Sequence, residues 1–162
     1  MKKINRMGVL AFVSLIAGAL LSGCGKDSSA PLKTGMYVDK APHGGTPVVL
    51  GDGDYHVEFV REAETGTLSA YVLDDEMEDF IRSSSPSITI IASIGGEKRT
   101  LVLEAVPNTA TGETVGNTSL FEAQADWLKT TGNFDAVLHG ISINGTAFAD
   151  TPFNFPAGNE KD

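Results

Sequence analysis

Three histidines and one glutamate are the candidate metal ligands of this chain. His43 lies in the turn-forming segment Pro42-His43-Gly44-Gly45, where glycine lets the backbone bend sharply and approach other groups closely. His56 and Glu58 are two residues apart in an alternating run, so their side chains project from one face of a strand. Neutral imidazole together with carboxylate suits Zn²⁺ or Cu²⁺. We therefore predict a zinc or copper site at His43, His56 and Glu58, against the alternative that these residues are simply solvated.

His139 is the fourth candidate ligand. It alternates with Val137 and Ile141 along one apolar run. If that face is exposed, the imidazole is available to a metal; if it is buried, His139 is a core histidine with an internal hydrogen bond. Whether His139 meets His43 and His56 depends on the order of the strands, which the sequence does not supply.

The sequence contains no comparable set of residues for catalysis. The serines at 83–85 are not in a Gly-x-Ser-x-Gly elbow. The acidic run at 74–79 lacks the spaced Asp, Asn and Gly pattern of an EF-hand calcium loop. No acid and base stand at a spacing that indicates a catalytic pair. We therefore predict that the protein is not an enzyme.

The N-terminus carries the features of a targeting segment. A short basic stretch precedes an uncharged apolar run at 7–21, which is typical of a secretory signal. The run ends in Leu21-Ser22-Gly23-Cys24, which resembles the lipobox of bacterial lipoproteins. The resemblance implies that residues 1–23 are a signal peptide, that Cys24 is acylated, and that the acyl chains hold the protein to a membrane. Because Gly25 rather than Asp follows the cysteine, we expect the outer membrane, with the domain facing the periplasm.

Charge and cysteine content limit the kinds of partner that the protein is expected to bind. The chain has 12 Lys and Arg against 21 Asp and Glu, and removal of the signal peptide also removes three of those basic residues. Such an acidic surface repels phosphate backbones, so nucleic acid is not expected as a partner. Cys24 is the only cysteine, and its acylation leaves no thiol for a disulfide or a soft-metal site. The expected partners are the membrane, through the lipid anchor, and either a metal ion or an envelope protein.

The rest of the chain predicts an all-β fold. Short apolar runs of alternating or β-branched residues recur about every ten residues, with turn residues between them. The turns include Gly95-Gly96 and Asn144-Gly145, both strong hairpin signals. We predict an antiparallel β-sandwich or barrel of about seven or eight short strands. The predicted strands lie at 46–50, 54–60, 67–73, 87–94, 99–106, 118–125, 134–143 and 147–155.

Domain boundaries follow from composition. Residues 24–40 are small and polar and predict a flexible tether behind the lipidated cysteine. The β-domain is expected at 41–157, with a polar tail at 158–162. One helical turn is predicted around 77–81, because Met77, Phe80 and Ile81 follow an acidic start.

A resemblance covers about a quarter of the mature chain. Four segments are similar to small periplasmic or lipid-anchored proteins and to the extra N-terminal domain of some adaptor proteins of tripartite heavy-metal efflux pumps. The segments are Pro42-His43-Gly44-Gly45, Tyr55-His56-Val57-Glu58-Phe59, Thr65-Gly66 and Ala70-Tyr71-Val72-Leu73-Asp74. The resemblance implies a small β-domain that binds metal ions through His43 and His56, with Glu58 beside them. His139 is outside the matched segments, and the other parts of a full adaptor are absent.

Two functions therefore follow as expectations. The first is a lipid-anchored, periplasm-facing β-domain that binds a divalent transition metal weakly. The second is a non-catalytic interaction or structural module of the envelope that binds no metal, in which the glycines at 44–45 are structural and the histidines incidental.

Overall fold

A computed structural model of the chain describes residues 40–160. The predicted signal peptide, the lipidated Cys24 and nearly all of the tether lie outside the described residues.

The fold is all-β, as predicted, and is a barrel that is not fully closed. Eight strands form one antiparallel sheet that nearly closes on itself, and two very short strands form a second sheet. The only helical segments among residues 40–160 are a single 3₁₀ turn at Thr109–Thr111 and a four-residue helix, α1, at Trp127–Thr130. The strands are β1 (Thr46–Leu50), β2 (Tyr55–Glu62), β3 (Thr67–Leu73), β4 (Ser87–Ile94), β5 (Glu97–Ala105), β6 (Leu120–Gln124), β7 (Phe134–His139), β8 (Ser142–Ile143), β9 (Thr146–Ala147) and β10 (Thr151–Phe155).

The strand order mixes local hairpins with long-range pairings. The large sheet runs β1-β2-β3-β6-β5-β4-β7-β10. The pairs β1–β2, β2–β3, β4–β5 and β5–β6 join strands that are neighbours in the chain, whereas β3–β6 and β4–β7 join strands that are distant in it. Because β6 lies between β3 and β5, the start of β6 lies beside β3, next to the strand that carries His56 and Glu58.

The core fills the inside of this curved sheet. Alternate residues of β2, Val57 and Phe59, are fully buried there, as their period of two predicts. Phe59 stacks on Phe153 of β10 across the interior, with ring centroids 4.8 Å apart. In α1, Leu128 is fully buried and Trp127 packs its edge against Phe134. The helix thus joins the same hydrophobic core as the strands.

The chain after β10 covers the outer edge of β1. Asn159 accepts a hydrogen bond from the Val49 backbone N–H at 2.8 Å and donates one to the Val49 carbonyl at 3.0 Å. The Asn159 amide therefore bonds the two backbone groups of Val49 as a neighbouring strand would. Asn159 lies two residues beyond the predicted end of the domain, so the ordered contacts extend into the predicted polar tail.

Three local predictions were wrong. The predicted strand at 147–155 is interrupted at residues 148–150, which separate β9 from β10. The segment around Met77 is a turn instead of a helical turn, because Met77 has φ of +55° and the Asp74 carboxylate takes the N–H groups of Glu78 and Asp79. The predicted long strand at 134–143 is broken at Gly140, whose φ is +79°. Asn144-Gly145 does form the predicted hairpin turn, with positive φ at both residues, but it joins only the short strands β8 and β9.

Candidate functional site

Glu58 is a buried carboxylate that holds a loop against the outside of the sheet. It lies on the outward face of β2 and has no exposed surface. One of its oxygens, Oε1, accepts hydrogen bonds from the backbone N–H groups of His43 and Gly45, at 2.9 and 2.8 Å. The other, Oε2, lies 2.7 Å from Nδ1 of His43. Three hydrogen bonds therefore fix the 41–45 loop over this carboxylate.

The two glycines of this loop have different roles. Gly44 has φ of +69° and open space around it, so its requirement is conformational. Gly45 is limited by space, because a Cβ there would lie 2.6 Å from the Phe59 carbonyl oxygen and 2.9 Å from Glu58 Cγ. The glycine pair lets the loop turn and then approach β2 closely enough to donate to Glu58.

His43, Tyr71 and Phe80 form an aromatic cluster above this carboxylate. Tyr71 on β3 lies directly opposite Glu58 on β2. The His43 ring stacks on the Tyr71 ring with centroids 3.9 Å apart and planes 13° apart. Phe80 lies 5.9 Å from His43 and 6.1 Å from Tyr71, tilted against both, and is 53% exposed. The cluster thus presents one large apolar ring to solvent on a base of two stacked rings.

The Tyr71 hydroxyl is held in its protonated form. Burial raises the pKa of Tyr71, and the negative charges of Glu122 and Glu58 raise it further. The hydroxyl is protonated at neutral pH even at its ordinary pKa of 10.0, and the raised pKa extends that protonated range to higher pH. The Tyr71 ring lies 6.1 Å from the exposed ring of Phe80.

A groove of about 360 Å³ begins at the aromatic cluster. It runs between β3, the end of β5, the start of β6 and the loop that joins the last two. Its walls combine apolar side chains with hydrogen-bonding groups. The lining residues are Tyr71, Phe80, Arg82, Val106, Asn108, Thr111, Glu113, Ser119 and Leu120.

Glu113 organises the other end of the groove. Its Oε2 accepts from the Asn108 N–H at 2.8 Å and the Thr118 hydroxyl at 3.0 Å, and its Oε1 accepts from the Ser119 hydroxyl at 2.8 Å. Burial disfavours the charged carboxylate, but these hydrogen bonds, with a further one from the Ser119 N–H, outweigh burial and lower the pKa of Glu113. Glu113 is thus a second buried carboxylate that fixes a loop, as Glu58 does.

His56 lies on the same strand face as Glu58, as the period of two predicted, but it has its own partners. Its Nδ1 is 3.1 Å from the Asp74 carbonyl oxygen, and since a carbonyl only accepts, this nitrogen carries the proton. Its Nε2 lies 3.9 Å from an oxygen of Glu160. The ring is buried and serves as a contact between β2 and the segment after β3.

His139 lies on the outward face of β7, between the buried residues Leu138 and Ile141. It is therefore not a core histidine. Its Nδ1 is 2.5 Å from an oxygen of Asp150, and the pair is partly exposed. In the sheet, β3, β6, β5 and β4 lie between β2 and β7, and across the gap where the sheet nearly closes, β1 and β10 lie between them.

The described residues do not assemble a closed metal site. Among residues 40–160, no group of three or more His, Cys, Asp or Glu side chains is placed to hold one ion. A structural zinc site needs four ligands and a catalytic one needs three with an open position. Of the four predicted ligands, only His43 and Glu58 are in contact. In that contact Glu58 occupies Nδ1, which leaves Nε2 of His43 for another partner.

Sequence reasoning missed the groove. Phe80 was placed in a predicted helical turn, and no role was given to Arg82 or to the segment with Glu113 between the predicted strands at 99–106 and 118–125. One signal was present, because Glu113 is the only charged residue between Pro107 and Asn117. A lone carboxylate among residues with short hydroxyl and amide side chains is placed to accept several hydrogen bonds.

No family model, curated protein or solved structure matches the chain. In the part of the chain that the structure describes, no helix is long and apolar enough to cross a membrane.

Proposed function

We propose that this protein is a lipid-anchored domain of the cell envelope that faces the periplasm and binds an envelope polypeptide without catalysis. The binding surface would be the aromatic cluster and the groove beside it. The observation that carries this proposal is Phe80, a phenylalanine with 53% of its surface exposed, supported from behind by Tyr71 and His43 at the mouth of the groove. Exposed aromatic anchors beside hydrogen-bonding groups are typical of protein-binding surfaces.

The hydrogen bonds that the polar side chains already make favour a binding function over a catalytic one. His43 is bonded to Glu58, His56 to the Asp74 carbonyl and His139 to Asp150. Within residues 40–160 no buried side-chain nitrogen or oxygen lacks a hydrogen-bond partner. Catalytic sites commonly keep polar groups in reserve for a substrate. Here the candidate groups are used to fix loops.

The anchor part of the proposal rests on the sequence. Leu21-Ser22-Gly23-Cys24 ends an apolar leader, and Gly25 follows the cysteine. Several acyl chains on Cys24 would hold the domain stably at a membrane. The outer membrane is the proposed location, with the β-domain in the periplasm.

Weak binding of Zn²⁺ or Cu²⁺ at His43 is a second candidate function. Metal-binding histidines usually give their other ring nitrogen to a carboxylate, and Glu58 lies at that nitrogen of His43. Metal titration separates the two functions. Saturable binding that is lost in His43→Ala and retained in His139→Ala would support the metal function, and binding unaffected by His43→Ala would exclude this site.

Site-specific photocrosslinking in cells tests the proposed binding surface. A benzophenone amino acid at position 80 of the full-length, anchored protein is expected to give one discrete crosslinked polypeptide, because the ring already points outward. Asp126, whose side chain is 97% exposed, follows the end of β6 that lies away from the groove and is the control position. The same product from positions 80 and 126, or none from position 80, would contradict the proposal.

Processing is tested in the same cells with Cys24→Ser. We expect the variant to keep its signal peptide or to be released from the membrane fraction, and to lose the labelled fatty acid that the native chain incorporates. Fractionation with unchanged membrane association and labelling would contradict the lipid anchor while leaving the crosslinking result independent.

A further inference from the structure

Most of β5 forms an open edge of the sheet. β5 pairs with β4 from Glu97 to Glu104. Within residues 40–160, however, it pairs with β6 only at Glu104 and Ala105. The segment 97–103 therefore has a strand on one side only, and we refer to it as the β5 edge.

The hairpin register identifies the backbone groups that this edge presents. Gly95-Gly96 is a two-residue turn with φ of +57° and +87°, so the flanking residues Ile94 and Glu97 form a hydrogen-bonded pair. Such pairs alternate along an antiparallel ladder, and Ala105, whose N–H donates to Pro86, continues the alternation. The residues whose N–H and C=O groups face away from β4 are therefore Lys98, Thr100 and Val102.

The side chains of the edge favour an acidic partner. Residues 40–160 contain six Lys and Arg against 18 Asp and Glu, and Lys98 and Arg99 are the only two basic residues that are adjacent. Both are exposed. Arg99 has one exposed ion pair, with Glu97 at 3.6 Å, and Lys98 has none among the described residues. Val102, 45% exposed, adds apolar surface on the same face as Lys98.

We propose that the β5 edge binds an extended acidic segment of another protein as an added β-strand. Three residues with outward N–H and C=O groups would supply the backbone ladder, which is the usual source of affinity in strand addition. A carboxylate of the added strand opposite Lys98 would supply specificity.

A second copy of this chain fits the edge less well. In an antiparallel pairing centred on Thr100, Lys98 would face Val102 of the copy and Arg99 would face its Leu101, so neither basic side chain would meet a carboxylate. Each copy also brings the same excess of acidic residues. Lysine on an exposed edge is itself a device that disfavours self-pairing.

Amide hydrogen exchange with a synthetic peptide tests the proposal on the full-length protein in detergent. The probe is an eight-residue peptide in which glutamate alternates with threonine. We expect exchange at Lys98, Thr100 and Val102 to slow at least about tenfold when the peptide binds, because these amides gain a partner. Arg99 and Leu101 already donate to β4 and should not change.

Two altered peptides and one variant make the test specific. The same peptide with lysine in place of glutamate, and an acidic peptide with N-methyl groups on alternate residues, should both fail to protect the three amides. Lys98→Glu should weaken binding of the acidic peptide by roughly three- to tenfold, whereas Lys40→Glu, with the same change in net charge, should not. Equal binding of the acidic and basic peptides, or full binding by the N-methylated peptide, would overturn the proposal. Protection that rises with protein concentration alone would overturn it in favour of a second copy.

Discussion

Glu58→Ala is expected to destabilise the domain by about 3 kcal/mol, because it removes the acceptor of two backbone N–H groups and one imidazole in a site without exposed surface. Each buried donor left without a partner costs about 1–3 kcal/mol. For a domain of this size the change corresponds to a fall of roughly 10 °C in the unfolding midpoint. The 41–45 loop should also detach, so that His43 no longer stacks on Tyr71.

Thermal and urea unfolding of the native chain and three variants measure this effect. Glu58→Gln keeps an acceptor for the His43 and Gly45 N–H groups, and its amide can donate to Nδ1 of His43 in the other tautomer. It should therefore cost about 1 kcal/mol or less. Glu104→Ala removes an exposed carboxylate and should change stability by less than about 0.5 kcal/mol. A Glu58→Ala midpoint equal to that of Glu104→Ala would show that the carboxylate does not fix the loop.

Local patterns in the sequence were sufficient for the fold class. The two-residue turns at Gly95-Gly96 and Asn144-Gly145 both have the positive φ values that their residues permit. The alternation in β2 placed Val57 and Phe59 in the core and His56 and Glu58 on the other face. These features depend on residues close together in the chain, which is why sequence reasoning reached them.

The strand order could not be predicted in the same way. Insertion of β6 between β3 and β5 joins Thr67 to Gln124 and Ala105 to Phe121, and neither pair has a local signal. The closure of the β1 edge depends on Asn159, which is 110 positions from Val49 in the chain. Loop closure and packing decide such contacts, and one sequence does not display them.

The candidate site shows the same limit at the level of single residues. The period of two placed Glu58 on the outer face of β2, where an exposed carboxylate was expected. The structure buries it completely, because the glycines of 44–45 let the loop fold over it. His43 and Glu58, which the sequence suggested as metal ligands, therefore fix each other's position in the fold. Whether His43 also binds a metal stays a prediction.

The second large effect is expected at Glu113. Glu113→Ala removes the acceptor of the Asn108 and Ser119 backbone N–H groups and of two hydroxyls, at a residue that is 8% exposed. Hydroxyls can turn to other acceptors, but the two N–H groups cannot, so we expect a loss of about 3 kcal/mol. The loop at 107–117 forms one end of the groove, so crosslinking from position 80 should fall in this variant.

The pH dependence of stability distinguishes this role of Glu113 from simple packing. The pKa of Glu113 is lower in the folded protein than its ordinary value of 4.5, so its ionised form stabilises the fold. That contribution is complete above pH 4.5 and is lost as the pH falls through the lowered pKa. The stability difference between the native chain and Glu113→Gln should therefore be constant from pH 7 to pH 5 and shrink below pH 4.5. Urea unfolding at each pH measures this stability difference, and Glu104→Gln is the exposed control. A difference that does not shrink in acid would mean that the charge of Glu113 contributes nothing to stability.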